Sequence, residues 1–368
     1  MIRNDKNHIG KIRVLVVDDS AVVRQTMHAI LSTDSNIDVT VAPDPLIAFS
    51  RIEKEAPHVV ITDLEMPRMD GLAFLTEIMQ SGKPLPVIVC SGLAESGSDR
   101  AMSALASGAV DVIAKPKLGV KDFLHDSAVM LLDSVWAAAN AKLRPRKCLS
   151  STPANSADVM LPSPRGVKGC QKTDSIIVIG ASTGGTEALE QFLGAMPSNC
   201  PGIAIVQHMP EVFTRAFAER LNRICSIDVK EASHGDPIMR VRALIAPGNK
   251  HLLLRSSDLG YFVEVHEGPL VSRHRPSVDV LFRSVARAAG RNALGIIMTG
   301  MGADGAAGLL EMRKSGAATI AQDEATCVVF GMPREAIQLG AAQHVVALPQ
   351  IPNTALKICD ADWSRPRS

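Results

Sequence analysis

Short runs rich in valine and isoleucine alternate with helical patterns along this chain, and they do so twice. The first series is Ile12–Val17, Ile37–Ala42, His58–Thr62, Pro86–Cys90 and Val110–Ala114. Apolar runs separated by helical segments read as parallel strands covered on both faces, not as a half-exposed antiparallel sheet. The second series is Ser175–Gly180, Gly202–Gln207, Ile227–Glu231, Ala243–Ala246, Leu294–Thr299 and Ala318–Ala321. Helical patterns fall within it at Phe213–Ile224, Val278–Ala289 and Ala306–Ser315, while His251–His266 alternates as a β-hairpin does. The expected fold class is α/β with two doubly wound parallel-sheet domains. The first is five-stranded; the second is larger and Rossmann-like, with an antiparallel hairpin. Between them, Lys142–Thr173 carries four prolines, seven basic residues and one acid, Asp158, which is the composition of a tether. The expected divisions are residues 10–140, 141–173 and 174–360, and a length of 368 residues suits two domains.

Several function classes fall away on composition. No apolar run approaches the roughly 18 residues of a membrane span, and the N-terminal segment lacks the apolar stretch of a secretory signal. Seven cysteines stand singly with no C-x-x-C, which reads as reduced thiols in the cytoplasm. A net charge of +1 and 3% aromatic residues argue against a nucleic-acid coat or a base-stacking platform. That charge is a sum of unlike parts. Residues 1–140 hold 13 basic and 18 acidic side chains, the tether is basic, and residues 174–368 balance at 19 of each. The basic surplus therefore lies in the tether, where a solvated linker is the expected reading over a contact with nucleic acid.

Ligands of open parallel sheets bind beyond the carboxyl ends of the strands. In the first series the strands end in Asp18-Asp19, Asp63, Ser91 and Lys115-Pro116. Three carboxylates at one edge repel unless a divalent cation sits among them, and Mg²⁺ is hard and oxygen-seeking. A lysine and a hydroxyl at the same edge suit a phosphoryl group arriving on a carboxylate. Turn and cap preferences explain any one of these residues. They do not explain five positions at the ends of four strands.

The second series opens with SIIVIGASTGGTEAL, in which Ser182 comes after a strand in a glycine-rich turn leading into a helix. Alone, GASTGG fits a phosphate cradle or a plain helix N-cap as well as a nucleophile. It also matches the G-x-S-x-G elbow of α/β-hydrolases, but those enzymes order serine, acid, histidine, and here the histidine comes first. GIAIVQHMP places His208 at the end of the next strand, and LGIIMTGMGADGAAGL places Asp304 in a glycine-rich turn after another. A histidine on an apolar segment is usually structural, and an aspartate before glycine usually forms a turn. Their convergence with Ser182 at one sheet edge changes that reading. A serine needs a base, and the base needs a third group to fix its tautomer.

These stretches resemble two known families. VVDDS, TDLEMPRMDGLAFL, SGLA and the IAKP run resemble the receiver domain of two-component response regulators over roughly residues 10–130. GASTGG, VQHMP, IAPGNKHL, RHRPSVDVLF, TGMGADGAAGL and AQDEATCVVFGMPREAI resemble the catalytic domain of the chemotaxis protein-glutamate methylesterase family (CheB), from about 174 to 350. The first resemblance implies Asp63 as phospho-acceptor, Asp18 and Asp19 as Mg²⁺ ligands with it, Ser91 as switch hydroxyl and Lys115 as phosphate-pairing cation. The second implies Ser182 as nucleophile, His208 as general base then acid, Asp304 as orienter, the Met301 N–H as oxyanion donor and Thr183 as a neighbour. Together they imply hydrolysis of glutamyl methyl esters on chemoreceptor cytoplasmic helices, and deamidation of particular receptor glutamines. No cofactor is implied for the ester chemistry, a histidine kinase is implied as phosphodonor, and nucleic acid and membrane insertion are not expected. The receiver is expected to cover the catalytic edge until Asp63 is phosphorylated.

Two departures stand out: prolines at 43 and 45 in APDPLIAFS, expected to reshape a loop away from the pocket, and Thr186 where the family commonly has proline. His251, His266 and His274 are too loosely spaced for a zinc site. Arg273 and Arg275 fit an acidic-substrate contact and a solvated rim equally. The alternative is a non-catalytic response regulator with a binding output, against which stands the lack of a helix-turn-helix pattern in 174–368. A nucleotide site at GASTGG would place an acid where His208 stands.

Overall fold

The structure, a computed structural model, describes residues 11–92, 95–115, 121–143, 173 and 175–363. The first sheet comprises β1 Ile12–Val17, β2 Ile37–Ala42, β3 Val59–Asp63, β4 Val87–Ser91 and β5 Asp111–Ala114, all parallel, in the order β2-β1-β3-β4-β5. Helices α1 Ala21–Leu31, α2 Pro45–Glu55, α3 Gly71–Gln80, α4 Glu95–Ala106 and α5 Lys121–Ala139 connect and flank the strands. The strand order reverses between β1 and β3, so their carboxyl ends open a crevice there. Gly71 lets α3 start hard against β3. A Cβ at that position would sit 1.9 Å from the Asp63 carbonyl oxygen. Of the two prolines before and in α2, Pro45 is accommodated by the helix start itself. Asp44 caps the helix, accepting from the Ile47 N–H at 3.0 Å, and Pro45 takes the first helical position, where no N–H is needed.

The second sheet has seven parallel strands. These are β6 Ile176–Ala181, β7 Gly202–Gln207, β8 Asp228–Glu231, β9 Arg242–Ile245, then β12 Ala293–Ile297, β13 Ala318–Gln322 and β14 His344–Val346. Their order is β14-β13-β12-β6-β7-β9-β8. Between β9 and β12 in the chain, β10 His251–Ser257 and β11 Gly260–His266 form the expected hairpin, paired from His251–His266 to Ser257–Gly260. The helices are α6 Gly185–Gly194, α7 Glu211–Ile224, α8 Val278–Ala288, α9 Ala306–Lys314, α10 Met332–Gln338 and α11 Ile351–Trp363. Strand β14 leaves no apolar run in the sequence, because it is three residues long on an edge, with His344 and Val345 exposed. The switch point lies at β6, flanked by β7 and β12, so the loops after these three strands share one crevice.

The two units meet. Helix α4 packs on α7, and one apolar cluster continues from Leu75, Met102 and Leu105 to Met209 and Phe213. The Ser98 hydroxyl donates to the Val212 carbonyl at 2.9 Å, and the Lys142 N–H donates to the Val328 carbonyl at 2.9 Å. Most of the tether lies outside the described residues. No helix among the described residues is long and apolar enough to cross a membrane.

Candidate active site

At the first crevice, β1 delivers Asp18, β3 Asp63, β4 Ser91 and β5 Lys115. Asp18, Asp63 and Ser91 are buried. Lys115 Nζ stands 2.6 Å from Asp63 Oδ2 and 3.1 Å from Asp18 Oδ2, and Asp63 Oδ1 accepts from the Leu64 N–H at 2.7 Å. Burial raises the Asp18 pKa against the pull of Lys115. Burial works against the charge on Lys115, yet its hydrogen bond to Asp63 and the two carboxylates hold its pKa above the ordinary value. Carboxylate oxygens of Asp18, Asp19 and Asp63 lie within 4.8 Å of one another. Three carboxylates against one lysine leave surplus negative charge on hard oxygen donors, and such a set fits Mg²⁺.

At the second crevice the turn after β6 is shaped by glycine. Gly184 has φ +77°, and a Cβ on it would meet Val328 at 2.5 Å; a Cβ at Gly300 would meet the Ser182 Cβ at 2.7 Å. Backbone bonds hold Ser182: its N–H donates to the Thr299 carbonyl at 3.0 Å, and its carbonyl accepts from Gly185 N–H at 2.7 Å and Gln207 Nε2 at 2.9 Å. Thr183 is buried, its carbonyl accepting from the Thr299 hydroxyl at 3.0 Å. Among the described residues, neither the Ser182 hydroxyl nor the Met301 N–H has a hydrogen-bond partner.

His208 Nε2 lies 2.9 Å from Asp304 Oδ2. The same carboxylate accepts from the Val278 N–H at 2.7 Å and, through Oδ1, from the Ser277 hydroxyl at 2.8 Å and the Asp279 N–H at 3.1 Å. Asp304 is therefore anchored on the first turn of α8, where free N–H groups and the helix dipole favour an anion. The other ring nitrogen, His208 Nδ1, is buried with no partner among the described residues. With Nε2 facing a carboxylate, the Nε2–H tautomer is selected, which leaves a lone pair on Nδ1.

Burial alone would raise the Asp304 pKa. The hydrogen bond and charge of His208, with the bonds from Val278 and Ser277, outweigh it and hold the pKa at about 2. A carboxyl depressed below its unfolded value stabilises the fold above about pH 4, and that contribution is lost as pH falls toward 2. The protein should lose about 2 kcal/mol through this group over that window. Urea midpoints at pH 5 and pH 2.5 should show a smaller acid-induced drop in Asp304→Asn. An equal drop in both proteins would refute this account.

His274 stacks on His208, with ring centroids 3.8 Å apart and planes 8° from parallel. Burial, with the nearby charge of His208, pushes its pKa down to about 3, and its Nδ1–H donates to the Ser272 carbonyl at 2.7 Å. His208, His274 and Asp304 are close enough to suggest a metal site. Two parallel stacked imidazoles, however, cannot aim in-plane lone pairs at one ion. Spacing along the chain groups His274 with His251 and His266, and the structure separates them. His251 is structural, bonded to Pro269 and Ser277, and His266 is exposed. Ser277 and the start of α8 support the site without standing out in the sequence, where a serine just ahead of the helical pattern is the available signal.

From the other unit, Asp111 and, on α5, Met130, Asp133 and Ser134 share a lining with Ser182, His208 and Met301. The space enclosed is about 40 Å³. That holds a water or two, against several hundred Å³ for a ligand pocket. Asp111 is pushed up to about 6 by burial, with the Ser134 hydroxyl bonded to it at 2.8 Å.

Fold and site define a class: a receiver-type aspartate–lysine module set against an α/β module whose sheet edge gathers a serine, an imidazole and a carboxylate. A family model described as CheB methylesterase matches residues 177–355, and one described as response regulator receiver domain matches residues 14–122. The chain is 58% identical over 353 residues to a protein-glutamate methylesterase/protein-glutamine glutaminase of Geobacter metallireducens, covering 95% of this chain and 99% of that protein. It is 58% identical over 351 residues to a protein of the same description from Anaeromyxobacter dehalogenans, covering 95% and 97%. The solved catalytic domain of Thermotoga maritima CheB methylesterase is 35% identical, covers 52% of this chain and 99% of that one, and has a TM-score of 0.49. The chain belongs to the CheB family of protein-glutamate methylesterases/protein-glutamine glutaminases, with an N-terminal receiver.

Proposed function

We propose that this protein hydrolyses glutamyl methyl esters on the cytoplasmic helices of chemoreceptors, and deamidates receptor glutamines by the same acyl transfer. The observation that carries this reading is the imidazole of His208, fixed by Asp304 on one nitrogen and buried with a free lone pair on the other. Ser182 Oγ attacks the ester carbonyl while His208 Nδ1 takes its proton. The Met301 N–H faces the oxyanion of the tetrahedral intermediate. His208 returns the proton to the leaving methanol, or to ammonia from an amide, and the acyl group stays on Ser182. Water, deprotonated by His208, then releases the glutamate. Asp304 keeps the Nε2 proton in place and stabilises the imidazolium.

Regulation belongs to the receiver. A histidine kinase is the proposed phosphodonor and Asp63 the acceptor, with Lys115 pairing the phosphoryl group and Ser91 reading it. Asp18, Asp19 and Asp63 would hold Mg²⁺, which when bound neutralises the charge of the incoming phosphoryl group. In the unphosphorylated state α5 and β5 lie over Ser182 and His208, and phosphorylation favours an arrangement in which they do not. A cytoplasmic location accords with this substrate and this phosphodonor.

Methanol release from methylated receptor, measured with and without a small-molecule phosphoryl donor, tests the whole scheme. Asp63→Ala should abolish the stimulation and retain the unstimulated rate. Deleting residues 1–172 should raise the basal rate about ten-fold or more, the effect of removing a closing contact of about 1.4 kcal/mol. An unchanged basal rate after the deletion would rule out occlusion.

A further inference from the structure

Arg273 and Arg275 flank His274 and differ in what holds them. Arg275 is spent on structure, its guanidinium donating to Asn249 Oδ1 at 3.0 and 2.6 Å. Arg273 sits at the tip of a two-residue turn. Val271 and His274 pair across it, and Ser272 and Arg273 have φ of +52° and +67°. Glycine or asparagine normally occupies such a turn, because a side chain is strained there. A serine and an arginine are held in it here, and Arg273 lines the same crevice as Ser182, His208 and His274. The one ion pair of Arg273 among the described residues is with Asp133 of the receiver helix α5, at 3.4 Å, with the arginine side chain 57% exposed. The contact is long and its arginine end is open to water, while Asp133 is only 21% exposed, so the arginine can leave the pair for another carboxylate. Helix α5 thus lays a helical surface over the nucleophile and offers a carboxylate to the rim cation.

We propose that Arg273 is a specificity-determining residue that binds a carboxylate carried by the substrate helix beside the reacting ester, and that Asp133 occupies that place while the receiver is closed. The inference rests on the ester-hydrolase reading above and adds to it a substrate class: acidic helical segments. One positive charge then serves two states, since whatever leaves Arg273 free to read substrate has also broken its bond to the receiver. Arginine suits the role because its planar fork pairs a carboxylate bidentately, in fixed orientation.

The test uses the full chain, saturated with a small-molecule phosphoryl donor, acting on a methylated receptor cytoplasmic fragment. Arg273→Ala should raise KM about ten-fold with kcat changed less than about two-fold, and Arg273→Lys should recover part of the loss. Neutralising the acidic residues next to the ester on the fragment should raise the wild-type KM while barely moving that of Arg273→Ala. Without phosphoryl donor, Asp133→Asn should raise the rate several-fold. An unchanged KM in Arg273→Ala, or a KM that rises equally in both enzymes on the neutralised fragment, would overturn the proposal. A Ser182→Ala control on the same fragment reads the hydrolase assignment separately, so either can fail without the other.

Discussion

Ser182→Ala should lower the rate of methanol release by about 10⁴-fold or more, to the level that binding and oxyanion stabilisation sustain without a nucleophile. The reason is local. The structure holds Ser182 by its backbone, through Thr299, Gly185 and Gln207, so removing the hydroxyl leaves the turn intact. Stability should change by no more than about 0.5 kcal/mol. Loss of rate can therefore be read as loss of chemistry and not of fold. Labelling by a serine-reactive fluorophosphonate should vanish in the same variant. Hydrolysis retained in Ser182→Ala would remove the nucleophile assignment, whatever the fate of the receiver.

Asp304→Asn should cost about 10³- to 10⁴-fold in kcat, and it should also weaken the fold. All the groups bonded to this carboxylate in the structure donate: His208 Nε2, Ser277 Oγ and the N–H groups of Val278 and Asp279. An asparagine keeps one acceptor and turns an NH₂ toward donors. Where the amide nitrogen faces His208, the ring takes the other tautomer, with its proton on Nδ1 where Ser182 needs a lone pair. Where it faces α8, the helix N-terminus loses its anion. Leaving such buried donors unmet costs about 1–3 kcal/mol. Calorimetry should show the lower Tm, and single-turnover kinetics the slower acylation. A variant with near-normal kcat would mean that Asp304 serves α8 and not His208.

Much of this was legible in the chain. Parallel strands covered on both faces need continuous apolar runs, so most of the parallel strands show themselves wholly or nearly so, and a doubly wound sheet puts chemistry after its strands. That is why Asp18, Asp63, Ser91, Lys115, Ser182 and His208 stand out. What hid was short or distant. Strand β14 is too brief and exposed to carry a pattern. His274 belongs to a loop between the hairpin and α8, and only the folding of that loop stacks it on His208. Arg273 and Arg275 are indistinguishable as letters. Their difference is that Asn249, 26 residues away from Arg275, claims one of them.

By itself, then, the sequence determined two α/β units, the order of their strands along the chain and the residue types at the strand ends, because these depend on local periodicity and on which side chains stand just past each apolar run. The tertiary structure alone decided which nitrogen of His208 is held and which is free, how α8 anchors Asp304, and that α5 brings Asp133 to Arg273. Those are distances between residues tens to hundreds of positions apart, and no local pattern encodes them.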